Sequence, residues 1–165
     1  MGGDRWDEVW EGVLHMVPPP SGRHQTLNSE LLVVIHGLAR ARGLKVVHEV
    51  GFFRSHDDYR QPDLAVYRPD QISARGLEAA AELLVELISP RDESRLKLPW
   101  YAALDVREVL LLDSVSLAVE LYDCASGEPK AVEPAHSAVL DCTFTRLDGD
   151  RLEVRTPDGP VVVSP

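Results

Sequence analysis

The sequence has few cysteines and no long apolar run. Only Cys124 and Cys142 occur among 165 residues, which argues against a disulfide framework and is typical of a protein from a reducing cytoplasm. No segment approaches the roughly 20 apolar residues that a transmembrane helix requires. The acidic N-terminus, residues 1–10, lacks the apolar run of a signal peptide. We therefore expect a cytoplasmic protein with no membrane partner.

Positive charge is also scarce, with 17 Lys/Arg against 27 Asp/Glu and a formal net charge of -10. This balance argues against a general nucleic-acid coat protein, which would be basic. Residues 108–165 hold four basic and eleven acidic residues, whereas residues 40–107 hold eleven of each. A polyanion would therefore have to bind the middle of the chain, with metal ions offsetting the carboxylates.

Apolar periodicity predicts two helices and several strands. Ser21 is a good N-cap for a helix over residues 22–41, whose apolar stripe is followed by Gly43. The other predicted segments are strands over residues 12–17, 45–54, 62–67, 81–89 and 108–113, a polar loop over 56–59 and a helix over 91–104. Residues 77–80 could form a helical turn, and the pattern leaves this open.

The order of these segments predicts an α/β fold. A buried strand, a crossover helix and a second buried strand favour parallel pairing of segments 81–89 and 108–113. After Leu117 the chain is typical of short antiparallel strands, with turn signals at 147–150 and 157–159. We expect a single domain over residues 1–165, with a core over 8–115 and a C-terminal β extension over 116–165.

Two apolar strands each carry a carboxylate. Asp63 shares a strand face with Ala65 and Tyr67, and Glu86 lies within the apolar run of residues 83–88. A lone charge on such a strand costs several kcal/mol unless it is paired, hydrogen-bonded or metal-bound. For each alone, the alternative is an arginine partner or, for Asp63, a cap at the start of its strand. For the pair, a hard oxygen site of the kind that Mg²⁺ prefers is favoured.

Lys97 and His24 are the remaining candidates. Lys97 lies beside the apolar stripe of the second predicted helix, where its ammonium could stabilise a phosphate transition state. The alternative is a surface pair with Glu93, worth only about 0.3–0.5 kcal/mol. His24 lies in the first turn of the first helix, on its core face. It could hydrogen-bond a metal-bound water or a phosphate, and a structural histidine is an equal alternative.

These residues resemble the PD-(D/E)xK nuclease core and, more closely, the Uma-two family of restriction-endonuclease-type proteins. The resemblance covers roughly residues 8–115. The matching segments are Trp10–Leu14, Pro18–Pro20 with His24, Pro62–Val66, Val85–Pro90, Lys97–Ala102 and Val109–Asp113. It implies a core of helix, three strands, helix and strand with a mixed central sheet. It also implies Mg²⁺ or Mn²⁺ ligands at Asp63 and Glu86, and a catalytic lysine at Lys97.

The sequence departs from this pattern at three places. Ile88 occupies the usual position of the lysine, so Lys97 would be a lysine that has moved to the helix. Glu11-Gly12-Val13 stands where the family usually has Asp-Gly-Glu, and Asp105 stands where it usually has glycine.

The resulting hypothesis is an endonuclease that hydrolyses DNA phosphodiester bonds and acts as a homodimer. The candidates for substrate contacts are Arg54, Arg60, Arg91 and Arg95, although ordinary solvated surface is the alternative for all four. The rival hypothesis is a catalytically silent protein-interaction module that keeps the nuclease fold and docks a partner through its acidic C-terminal region. The net charge of -10 favours this rival.

Overall fold

The computed structural model describes residues 6–89 and 93–165. This part of the chain contains two α-helices and fifteen strands. In chain order they are β1 (Glu8–Trp10), β2 (Val13–His15), α1 (Gly22–Ala41), β3 (Lys45–His48), β4 (Phe52–Phe53), β5 (Tyr59–Arg60), β6 (Leu64–Tyr67), β7 (Leu77–Glu78), β8 (Ala80–Ile88), α2 (Ser94–Ala102), β9 (Asp105–Asp113), β10 (Val119–Asp123), β11 (Lys130–Ala131), β12 (His136–Ser137), β13 (Cys142–Leu147), β14 (Arg151–Thr156) and β15 (Gly159–Val163).

A six-stranded mixed sheet forms the centre, in the order β11-β10-β9-β8-β6-β3. Strands β8 and β9 pair in parallel through the crossover helix α2, and their neighbours in this sheet pair antiparallel. The predicted α/β fold with a mixed central sheet is therefore confirmed. So is the parallel pairing, since a strand–helix–strand crossover returns the chain in its original direction.

The two helices cover opposite faces of this sheet. Helix α1 contributes Leu27, Leu31 and Ile35 to a core on one side of the sheet, which includes the β6 and β8 residues that point to this side, such as Val66 and Val85. Helix α2 contributes Leu98, Tyr101 and Ala102 to a second core on the opposite side, with the strand residues that point there, such as Ala65 and Leu84. Because side chains alternate along a strand, Glu86 of β8 belongs, with Leu84 and Ile88, to the face that α2 covers.

Helix α1 has the predicted limits. The Ser21 side chain caps it by accepting a hydrogen bond from the His24 backbone N–H at 3.2 Å. Helix α2 runs over Ser94–Ala102, shorter than the predicted 91–104. Position 91 of that prediction lies outside the described residues, and the C-terminal end comes two residues early.

Two strand predictions are corrected, and the helical turn that the sequence left open is decided. Within the segment 12–17 only Val13–His15 is a strand, and this β2 pairs in a hairpin with the unpredicted β1 across a turn whose residues Glu11 and Gly12 have positive φ. The segment 45–54 is divided into β3 and β4, with Glu49 between them at φ 48°. Residues 77–78 form the short strand β7 rather than a helical turn. Local breaks of this kind leave little trace in apolar periodicity.

The hairpin belongs to a second sheet, ordered β2-β1-β5-β4-β7. The predicted loop over 56–59 ends in this sheet, since Tyr59 begins β5. Of the described helices, none combines the length and apolar character needed to span a membrane.

The C-terminal strands β12 to β15 form a four-stranded antiparallel sheet, as the turn signals predicted. Phe144, Leu152 and Val154 of this sheet lie in the same core as α1. The buried Glu108 of β9 accepts hydrogen bonds from Ser137 Oγ at 2.5 Å and from the backbone N–H of Ala138 at 2.8 Å. That the chain is a single domain stays a prediction, which this shared core supports.

Candidate active site

The pairing of β6 with β8 brings the two predicted carboxylates to one place. Leu64 is opposite Val85 in the antiparallel ladder. Asp63 directly precedes Leu64 and Glu86 directly follows Val85, so the two residues come to the same end of this ladder and line one cavity. Asp63 is fixed there by the backbone N–H of Leu87, which donates to Oδ2 at 2.7 Å.

Glu86 is buried and accepts hydrogen bonds from three side chains of α2. The Tyr101 hydroxyl donates to Oε1 at 2.6 Å, and Ser94 Oγ donates to Oε2 at 3.2 Å. The Lys97 ammonium lies 3.2 Å from both carboxylate oxygens. Helix α2 thus presents Ser94, Lys97 and Tyr101 to the strand because residues three, four and seven apart share a helix face.

A second acid, Glu8 of β1, completes the environment of Lys97. Lys97 Nζ donates to Glu8 Oε1 at 2.7 Å, and Glu8 is only 2% exposed. Glu8 is held in turn by the backbone N–H of Gln61, which donates to Oε1 at 2.8 Å, and by Trp10 Nε1, which donates to Oε2 at 2.7 Å. The alternative of a surface pair between Lys97 and Glu93 is wrong, because Lys97 is buried and its partners are Glu8 and Glu86.

His24 meets Asp63 at the open end of this arrangement. The distance from His24 Nε2 to Asp63 Oδ1 is 2.8 Å. The side chains of His24 and Asp63 are 15% and 20% exposed, so this pair, unlike the Lys97 network, is open to solvent. The arginine partner that the sequence left open for each carboxylate is replaced by His24 at Asp63 and by Lys97 at Glu86.

Burial and charge shift the pKa values of this network strongly. Burial is the largest cause that raises the pKa of Glu86; Lys97 opposes it, the carboxylates of Asp63 and Glu8 add to it, and the net result is a pKa of about 7. Burial alone would lower the pKa of Lys97, but the charges of Glu86 and Glu8 outweigh burial and raise this pKa. The lysine is therefore held as an ammonium, whereas burial disfavours the ionised form of Glu86.

The four predicted residues line one cavity of about 130 Å³, together with Glu8, Ser94 and residues before α1. The structure thus brings Asp63, Glu86, Lys97 and His24 together. Glu8 was missed by the sequence analysis. In the sequence, Glu8 is marked only by its position two residues before Trp10 and three before the Glu11-Gly12 turn. This position does not show that its side chain faces inward.

The arginine candidates for substrate contacts lie in different environments. Arg60 is 4% exposed, with its guanidinium between the rings of Trp10 and Trp100, so its assignment to a substrate-binding surface is wrong. Arg54 lies 3.7 Å from Asp58, and Arg95 donates to Glu120 at 2.5 Å. Arg91 lies outside the described residues.

The donor set fits a loosely held Mg²⁺ rather than a metal in a closed protein cage. Among the described residues no group of three or more His, Cys, Asp or Glu side chains is arranged to hold a metal ion. Mg²⁺ usually keeps several waters and binds through one or two carboxylates plus substrate phosphates. Asp63 and Glu86 supply two such carboxylates in one polar cavity.

Comparisons with known proteins identify the family and the fold. The sequence profile of the Uma2 family, described as "Putative restriction endonuclease", matches residues 3–148. A crystal structure from Anabaena variabilis, of "a putative nuclease belonging to DUF820", is similar in fold with a TM-score of 0.62 and 20% sequence identity. The match covers 86% of this chain and 80% of that one. No curated protein matches the sequence.

Proposed function

The chain belongs to the Uma2 family, and we propose that it is a metal-dependent endonuclease that hydrolyses phosphodiester bonds in DNA. The observation that carries this proposal is the meeting of Asp63, Glu86, Lys97 and His24 in one cavity. The family match and the nuclease-like fold support it from independent directions. Neither identifies the metal or the catalytic residues, so their roles rest on the site itself.

In this proposal Asp63 and Glu86 hold Mg²⁺ or Mn²⁺. When bound, such an ion would polarise the phosphate and lower the pKa of a water molecule. The antiparallel register of β6 and β8 fixes the spacing of the two carboxylates. Burial is the main cause of the raised pKa of Glu86, and a bound cation would favour its ionised form.

Lys97 supplies a fixed positive charge. Its ammonium, held between Glu8 and Glu86, would donate to a non-bridging phosphate oxygen and stabilise the charge that develops in the transition state. His24, positioned by Asp63, would donate a hydrogen bond to the phosphate or orient the attacking water. Both roles use groups that already line the cavity.

Cleavage of supercoiled plasmid tests the proposal. We expect nicked and linear products with Mn²⁺ or Mg²⁺ and none with EDTA. Lys97→Met and Asp63→Asn should each lower the rate by about 100-fold or more, the usual cost of removing one transition-state contact. Lys45→Met, at an exposed position of β3, is the matched control and should cleave like the wild type. A folded wild-type protein that cleaves with neither metal would refute the proposal.

The rival proposal is a silent interaction module. The closed network of Lys97 with Glu8 and Glu86 favours it, because a buried ion network can serve stability alone. The plasmid experiment separates the two, since the module predicts no metal-dependent cleavage by any variant.

We also propose a homodimer in a reducing cytoplasm. Two-fold dimers are the commonest assemblies of soluble homo-oligomers. The two cysteines are free and buried, which fits a reducing compartment. Light scattering coupled to size exclusion would test the dimer, and a monomeric mass would refute it.

A further inference from the structure

Four planar groups follow one another across the hairpin and α2. The Arg60 guanidinium lies 4.3 Å from the Trp100 ring centre and 4.5 Å from the Trp10 ring centre. The Trp10 ring stacks on His15, with 4.0 Å between the ring centres and 18° between the planes. Asp58 fixes the far end by accepting hydrogen bonds from Trp100 Nε1 at 3.0 Å and from Arg60 at 2.8 Å. The series is therefore rigid and ends at His15.

His15 lines a second cavity, of about 370 Å³, directly beside the candidate active site. The two cavities share Glu8, Val17, Pro18, Ser94 and Lys97. The volume lies within the range of roughly 300–1,000 Å³ that is typical of small-molecule sites.

The wall of this cavity near His15 combines an aromatic ring and an apolar side chain with the carboxylate of Glu93. The His15 side chain is 29% exposed, and its Nδ1 lies 3.3 Å from Glu93, at the ring edge rather than on a ring face. Met16 beside it is 81% exposed. The cavity thus offers an aromatic ring edged by an exposed thioether, next to a buried ammonium.

We propose that this cavity binds an unstacked nucleobase of the substrate strand, on the His15 ring, next to the phosphate held near Lys97. This rests on the proposed nuclease function and adds the substrate class: a nucleic acid whose base beside the cleavage point is unpaired. Aromatic rings, including histidine, are the usual stacking partners of such bases. The shared residues place the base and the phosphate in adjoining cavities, as neighbouring parts of one nucleotide strand require.

The charge of the surface favours an unpaired strand over an intact duplex. Duplex binding depends on many phosphate contacts by free Lys and Arg. Here the net charge is -10, and exposed arginines such as Arg23 and Arg95 already pair with Asp150 and Glu120. Affinity must therefore come largely from stacking, which is worth a severalfold to more than a hundredfold change in affinity for each base.

Fluorescence anisotropy with labelled oligothymidine, in EDTA so that nothing is cleaved, tests the proposal. We compare the wild type with His15→Ala, His15→Phe and the matched control His36→Ala, at an exposed position of α1. His15→Ala should weaken binding about tenfold. His15→Phe should bind within about twofold of the wild type, because phenylalanine keeps a stacking face, and His36→Ala should match the wild type. An abasic oligonucleotide of the same length should bind the wild type and His15→Ala equally.

Equal affinity of the wild type and His15→Ala for oligothymidine would overturn the stacking site. An equal loss of affinity for the abasic oligonucleotide in His15→Ala, or a failure of His15→Phe to restore binding, would also overturn it. So would the absence of any oligonucleotide binding, which is the result expected if the cavity binds a protein partner. Plasmid cleavage, measured separately, tests the nuclease proposal. If the wild type cleaves plasmid but His15→Ala binds oligothymidine as the wild type does, only the stacking proposal is refuted. If binding depends on the base but no cleavage occurs, only the nuclease proposal is refuted.

Discussion

The ammonium of Lys97 donates a 2.7 Å hydrogen bond to Glu8, a residue 89 positions earlier in the chain. This contact is shorter than the two that Lys97 makes to Glu86, at 3.2 Å each. The lysine is therefore shared between the hairpin and the central sheet. Its position in the site depends on the N-terminal segment as much as on its own helix.

The first prediction concerns the stability of this network. Lys97→Met should lower the free energy of unfolding by about 3–5 kcal/mol, because it leaves two buried carboxylates without their cation. Adding Glu8→Gln to this variant should recover part of the loss, since one uncompensated charge is removed. Urea unfolding measures both values. Lys45→Met, at an exposed site, should stay within about 0.5 kcal/mol of the wild type. A double variant that is less stable than Lys97→Met would contradict the shared-cation account.

The second prediction concerns metal binding. At free Mg²⁺ near ten times its dissociation constant, the wild type should gain about 1.4 kcal/mol, which raises its melting temperature by roughly 3–6 °C. EDTA should reverse the gain. Asp63→Asn should show no such rise, because one of the two carboxylate ligands is lost. Asp70→Asn, at an exposed position, is the control and should show the same rise in melting temperature as the wild type. Equal shifts in all three proteins would place the metal elsewhere.

The third prediction concerns pH and the planar series. Burial alone would raise the pKa of Asp58, but hydrogen bonds from Trp100, the Glu11 N–H and Arg60 outweigh it and lower this pKa below its ordinary 3.8. A lowered pKa means that the carboxylate stabilises the fold above pH 3.8 and that this contribution is lost as pH falls through the lowered value.

The melting temperatures of the wild type and Asp58→Asn measure this effect. The wild type should be the more stable at pH 7, and the difference should shrink towards pH 2. The control is Asp158→Asn, at the exposed β14–β15 turn. Its melting temperature should differ little from that of the wild type across the same pH range. A gap for Asp58→Asn that is constant with pH would contradict the assignment.

The fourth prediction concerns the C-terminal sheet. Glu108→Ala should cost about 1–3 kcal/mol, because it leaves the buried Ser137 hydroxyl and backbone N–H groups of residues 138 and 139 without their acceptor. If the chain is one domain, calorimetry should show a single transition in the wild type and in the variant. Two separate transitions in the wild type would show that the C-terminal sheet unfolds independently.

Local signals in the sequence were sufficient for the long elements. Helix α1 was predicted with its observed limits because its cap residue, apolar stripe and terminal glycine all lie within its own segment. The parallel pair β8–β9 was predicted because both strands are apolar runs joined by one helix. Strand β1, and with it the hairpin, was missed, since a strand of three residues carries too short a pattern to identify.

Much of the candidate site followed from the same reasoning. Asp63 and Glu86 were expected to meet because each interrupts an apolar strand, and neighbouring strands of one sheet do bring them together. Glu8 and the mutual contacts of Trp10, Arg60 and His15 could not be predicted in this way. Arg60 in particular was expected at the surface, and only the two tryptophan rings explain its burial.

The sequence by itself determined which apolar residues of the long helices and strands face inward, because their burial follows the repeat of a helix or strand, and that repeat is visible within each segment. The tertiary structure alone decided how the inward charges are compensated. Lys97 finds Glu8 and Glu86, and Asp63 finds His24, across separations of 11 to 89 residues. Such partners are selected by the cost of burying an unpaired charge, which depends on the whole folded environment rather than on neighbours in the chain.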